Sequence, residues 1–152
     1  MKIVVDTNIV FSGILNSNST IGKLLIRPKP HFEFYACDFL KAELLKHRSK
    51  LIKLTGLKTS ELEELQYLVT ANITFINETI ISEKILLASE KLLKDIDSSD
   101  TPHLALTKLL KAKLWTGDKK LINGLKAKKF KSVITTAELS KLFDILENKK
   151  QR

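Results

Sequence analysis

Cysteine and histidine are scarce in this chain of 152 residues: one of the former, Cys37, and three of the latter. A lone thiol forms no internal disulfide, which agrees with a reducing, cytoplasmic setting. One cysteine with three scattered histidines also gives no structural zinc pattern. Long apolar runs are missing too. None approaches the roughly 18–20 residues that a helix needs to cross a bilayer, so no membrane partner is expected. Near the N-terminus, Lys2 is followed only by Ile3, Val4 and Val5 before Asp6, which leaves no h-region for a signal peptide. Internal repeats and low-complexity linkers are absent as well.

What is present is a globular composition, 43% hydrophobic and 28% charged. The length suits one domain with a real core and is too short for two ordinary ones. We expect that domain over residues 1–148, with 149–152 as a frayed basic tail. Twenty-six Lys and Arg against 17 Asp and Glu leave a formal charge of +9. Such an excess favours a polyanionic partner through phosphate contacts and counterion release, although a Lys-rich composition unrelated to nucleic acid would carry the same charge. Lys119, Lys120, Lys126, Lys128, Lys129 and Lys131 cluster late in the chain.

Residues 2–5 read as a first strand buried on both faces. FSGIL and STIGKLLI form a helical stretch broken near Asn16–Asn18 and closed by Pro28 and Pro30. HFEFYA, residues 31–36, is a second strand. Asp38 is placed to cap the next helix, FLKAELLKHRSKLIKL, which Gly56 ends. Ser60 with Glu63 has capping-box spacing for a helix through about Val69. ITFI (73–76) is a third strand, followed by a helix from Ser82 to Lys94. After the polar break DIDSSDTP a helix begins with Pro102 in its first turn. KLWT makes a fourth strand, KKLINGLK a short helix and KSVIT (131–135) a fifth strand; Thr135 and Glu138 suit the start of a final helix. The alternation of strands and helices throughout predicts one α/β domain around a mostly parallel sheet, with helices on both faces.

In open parallel sheets, ligands bind beyond the carboxyl ends of the strands. Asp6 immediately follows strand one. Glu43 lies in the first two turns of the helix after strand two, Asp100 heads the helix before strand four, and Asp118 falls just past that strand. Asp97, three residues before Asp100, is a candidate fifth acid. Carboxylates gathered in one place repel, at a cost of several kcal/mol unless protonation or a divalent cation compensates. An oxygen-rich acidic site suits Mg2+ or Mn2+, and two such ions about 3.5–4 Å apart can activate water against a phosphodiester. Each acid also has a plainer reading: Asp100 and Asp118 as helix caps, Glu43 as a solvated helix residue, Asp97 as a loop acid. Asp6 is the hardest to explain structurally, because a strand ending in D-T-N has little need of the charge. His103 reads as a partly exposed helix residue. Trp115, Phe32, Phe34 and Tyr35 read as strand core or interface, and Cys37 as inert.

Three stretches, VVDTNIVFSGIL, CDFLKAELLKH and DSSDTPHLALTKLLKAKLWTGDKKL, together resemble the PIN-domain nucleases. The likeness is strongest to the prokaryotic PIN proteins that include VapC-type toxins. VDTN alone would be a weak signal; joined to an Asp-headed helix and to TGD eighteen residues after Asp100, it is a strong one. The resemblance implies an α/β/α sandwich and an Mg2+- or Mn2+-dependent endoribonuclease. It maps an acidic quartet onto Asp6, Glu43, Asp100 and Asp118, with Asn8 and Thr116 in support. In that scheme Asp6, Asp100 and Asp118 hold metals or their waters, while Glu43 orients or ligates. Hydrolysis would leave a 5′-phosphate and a 3′-hydroxyl. Lys119 and Lys120, directly after Asp118, stand as candidates for substrate phosphate contacts. Implied partners are RNA, an antitoxin protein if the chain is the toxin of a type II toxin–antitoxin pair, and a second copy of the chain. Leu62, Leu65, Tyr67 and Leu68 suit such a homodimer interface or ordinary core.

Three other readings compete. A PIN nuclease of RNA processing, unrelated to any antitoxin, would look the same. A haloacid-dehalogenase-like phosphatase wants a second acid where Asn8 stands. An RNA- or partner-binding domain could keep the fold without the chemistry.

Overall fold

The computed structural model describes residues 1–27 and 30–152; Pro28, read above as a helix stop, lies outside them. Its first half runs β1 (Lys2–Val5), α1 (Thr7–Leu15), α2 (Thr20–Ile26), β2 (Glu33–Cys37), α3 (Phe39–Lys46), α4 (Arg48–Thr55), α5 (Thr59–Thr70) and β3 (Ile73–Ile76). The second half runs α6 (Glu83–Leu93), α7 (Thr101–Leu110), β4 (Lys113–Trp115), α8 (Lys119–Ala127), β5 (Val133–Ile134) and α9 (Thr136–Lys150). All strand pairs are parallel, in the order β3-β2-β1-β4-β5.

Alternation along each strand divides the apolar residues between two cores. Ile3, Val5, Phe34, Ala36 and Trp115 face one layer, built with Ile9, Leu25, Leu40, Leu51, Leu62 and Leu139 from α1 to α5 and α9. Val4, Cys37 and Leu114 face the other, built with Leu93, Leu104, Leu106, Leu121 and Leu125 from α6 to α8. Period-two side-chain direction with helices on both sides is why these strands read as unbroken apolar runs. The result is a single α/β/α sandwich. Trp115 ties β4 to α9, its Nε1 donating to Thr136 Oγ1 at 3.0 Å.

Several local expectations shift. The second strand starts at Glu33 rather than His31. The long helix after Asp38 is two helices broken at His47 (φ −100°, ψ 12°), and Gly56 closes the second with φ 69°, where a Cβ would be strained. Asp38 makes no cap bond; Glu78 accepts the Phe39 N–H instead, and Asp38 pairs with Lys41 at 3.6 Å. The helix expected to start on Ser60 and Glu63 begins earlier, with Glu61 accepting the Lys58 N–H at 3.1 Å. The fifth strand keeps only Val133 and Ile134 of KSVIT. Lys149 and Lys150, expected in a frayed tail, complete the last turn of α9. Leu62 and Leu65 join the core, whereas Tyr67 is 75% exposed and Leu68 is also exposed. Among the described residues no single helix is long and apolar enough to cross a membrane.

Candidate active site

Strand order reverses at β1, which has β2 on one side and β4 on the other. That reversal opens a crevice beyond the carboxyl ends of β1 and β4. Asp6 is the first residue past β1, and its N–H donates to the Trp115 carbonyl at 3.4 Å, closing the ends of the two strands together. Its side chain is 3% exposed. One oxygen accepts the Ile9 N–H at 2.9 Å and so caps α1. The charge that looked structurally unnecessary therefore has a structural task as well; a carboxylate has enough lone pairs to cap a helix and still face a cleft.

A cleft of about 280 Å³ sits on this edge, and Asp6, Glu43, Asp97, Asp100 and Asp118 all line it, with Asn8 at its wall. Asp118 follows β4, accepts the Leu121 N–H at 3.2 Å and caps α8. Asp100 holds the cap position of α7 but makes no cap bond with its side chain. Asp97 folds onto its own turn, accepting from Ser99 N at 3.0 Å and Ser99 Oγ at 2.6 Å. Glu43, from α3, lies 3.5 Å from His47 Nε2, one helical turn on. Thr116 is fully buried beneath them; its hydroxyl accepts the Asp118 N–H at 3.1 Å and bonds the Asp6 carboxyl. Lys119 and Lys120 are exposed on the first turn of α8 and stay out of the cleft wall, although the Lys120 charge is felt at Asp97.

The carboxyls disturb one another. Burial pushes Asp100 up to about 7, helped by the charges of Asp97, Asp6 and Asp118. Burial also raises Asp6, opposed by the hydrogen bonds from Thr116 and the Ile9 N–H and reinforced by Asp118. Asp97 goes the other way, held low by its bonds to Ser99.

Residues that the sequence did not assign to the site complete the wall. His103, expected to be partly exposed, is 2% exposed; burial lowers its ring to about 4, so it is neutral at pH 7. Its Nε2 stands 3.2 Å from Thr7 Oγ1, while Nδ1 has no hydrogen-bond partner among the described residues. Three positions after Asp100, it shares that residue's side of the helix, a spacing the sequence did display. Phe11, Phe39 and His47 also line the cleft; His47 follows Glu43 at the same-face interval of four.

A carboxylate-rich wall in which burial and neighbouring charge raise Asp6 and Asp100 suits a hard divalent cation, whose charge would relieve the repulsion. As the side chains stand, no three Asp, Glu, His or Cys groups among the described residues close on a single ion point. Rotation of the carboxyl groups is what joint ligation would require.

No curated protein matches the chain. A family model described as a PIN domain matches residues 4–140, a span that takes in the end of β1, all five acids and the start of α9. The chain belongs to the PIN domain family.

Proposed function

We propose that this protein is an endoribonuclease that hydrolyses RNA phosphodiesters with the help of Mg2+ or Mn2+. The observation that carries the reading is that five carboxyls from four separate segments line one cleft, with Asp100 raised to about 7 by burial and, beyond that, by the charges of its neighbours. PIN domains are generally nucleases and generally use divalent metals, which supports the same reading.

In this account Asp6, Asp100 and Asp118 are the holding groups and Glu43 the orienting one. When bound, the cation supplies charge neutralisation at phosphorus and a more acidic water. Thr116 fixes Asp6 relative to Asp118 by bonding both. Asn8 at the wall has an amide for the substrate or a bound water. The net charge of +9 gathers the polyanion, and Lys119 and Lys120, exposed on α8, would meet phosphates outside the cleft. Products would be a 5′-phosphate and a 3′-hydroxyl. The acidity of the cleft also suits blockade by a basic side chain of a partner protein, as expected if the chain is a toxin held by an antitoxin.

Labelled RNA incubated with the pure protein, in magnesium or manganese against chelator, tests the proposal. Cleavage should require the cation and disappear in Asp6→Asn and Asp100→Asn. Cleavage indifferent to both cation and acid would leave a binding domain without catalysis as the better reading.

A further inference from the structure

Four aromatic rings line the cleft beside the acids; His47 also pairs with Glu43 at 3.5 Å, while Phe11 and Phe39 have no part in the chemistry of the carboxyls. Phe11 on α1 and His47 at the α3–α4 break stand with ring centroids 5.5 Å apart and planes at 86°. Phe39, at the start of α3, leans on His103 at 4.9 Å and 44°. All four rings line the same cleft as the carboxyls. Phe11 roots in one core and Phe39 in the other, and neither is fully buried. Trp115, the single tryptophan, is entirely buried and offers no surface to a ligand.

We propose that the Phe11–His47 corner, with Phe39 beside it, is a subsite for one unpaired nucleobase adjoining the phosphate that is cut. The inference rests on the nuclease reading of the cleft. Two rings at right angles make a corner in which a flat heterocycle stacks on one ring and meets the edge of the other. Stacking accepts any base, because each has a π-face. A base inside a duplex has both faces covered by its neighbours and cannot enter, whereas a base in a single strand can be splayed out onto aromatic rings. The site therefore selects single-stranded nucleic acid by shape, with the exposed lysines holding the backbone without regard to sequence.

The test uses the full chain, a short labelled RNA strand, its perfect duplex, and strands carrying one abasic position next to the cleaved bond. Phe11→Leu and Phe39→Leu keep apolar volume for the cores and remove the stacking face. Thermal melting identifies any variant that has not folded. The single strand should be cut at least about tenfold faster than the duplex. Phe11→Leu or the abasic position should lower kcat/KM about tenfold, with no further loss when the two are combined. If cutting is equal for strand and duplex, or untouched by both changes, the subsite is overturned and the nuclease reading stands. If nothing is cut at all, the nuclease reading falls and binding decides: tighter anisotropy-detected binding of the intact strand than of the abasic one, erased by Phe11→Leu, supports the subsite, and equal binding overturns it.

Discussion

The hydroxyl of Thr116 receives the backbone N–H of Asp118 at 3.1 Å. The same hydroxyl bonds Asp6, so one buried atom joins the acid after β1 to the acid after β4. Thr116→Val keeps the shape and removes both bonds, leaving a part-buried N–H and a buried carboxyl short of partners. We expect a loss of about 1–3 kcal/mol of stability and a fall in cleavage rate, with Thr116→Ser close to wild type in both. Chemical denaturation alongside cleavage kinetics checks this; wild-type behaviour of the Val variant would remove Thr116 from the site.

Asp100 gives the fold a pH dependence. Its folded value of about 7 lies above the ordinary carboxyl value of 3.8, so the folded state prefers the proton. Its favourable contribution is present below the unfolded value and is lost as pH rises through about 7. In chelator, the melting temperature should therefore fall between about pH 4 and pH 7, and Asp100→Asn should flatten that slope. A slope unchanged by the substitution would mean that other groups cause it.

Cation binding should act in the opposite direction. At pH 8, magnesium or manganese should raise the melting temperature of the wild type in a concentration-dependent way. Asp6→Asn and Asp118→Asn should each reduce that rise. Isothermal titration on the same variants would show whether heat of binding vanishes with the shift.

The loop bearing Asp97 and Asp100 is held from behind by α8. Lys128 Nζ donates to the Leu92 carbonyl at 2.6 Å and pairs with Asp95. Ile96 fills the space above Gly124, where an added Cβ would lie 2.6 Å from Ile96 Cδ1. Gly124→Val should cost about 1–3 kcal/mol by overpacking and lower cleavage further by displacing the loop. Activity kept at full level in a destabilised variant would show that the loop does not depend on this contact.

Cys37 is buried, its thiol pushed up to about 12 by burial with the charges of Glu78 and Asp38 adding to it, and its Sγ donates to the Pro102 carbonyl at 3.4 Å. Native protein should react with a thiol-specific disulfide reagent only on the timescale of unfolding. Rapid labelling in the folded state would contradict this packing.

Much was legible in the chain itself. Apolar strands separated by amphipathic segments fix alternation, and alternation with short connections fixes a parallel sheet between helical layers. Caps such as Thr135, whose hydroxyl accepts the Glu138 N–H, are written in adjacent residues and read correctly. Where Asp38 failed as a cap, the replacement came from Glu78, far along the sequence and close only across the β2–β3 edge. A local pattern holds no record of a partner supplied by another strand.

The same division runs through the site. Residue type and spacing determined that Asp6, Asp100 and Asp118 would each end a strand or head a helix, because strand termini and helix starts are local properties. Tertiary structure alone decided that Asp100 is raised by burial with the charges of Asp97, Asp6 and Asp118 added, that His103 is buried, and that Phe11 and His47 meet at a corner. Those outcomes depend on burial and on distances of a few ångströms between remote segments. Such distances come into being only when the reversal of strand order at β1 brings two strand ends and three helices to one edge.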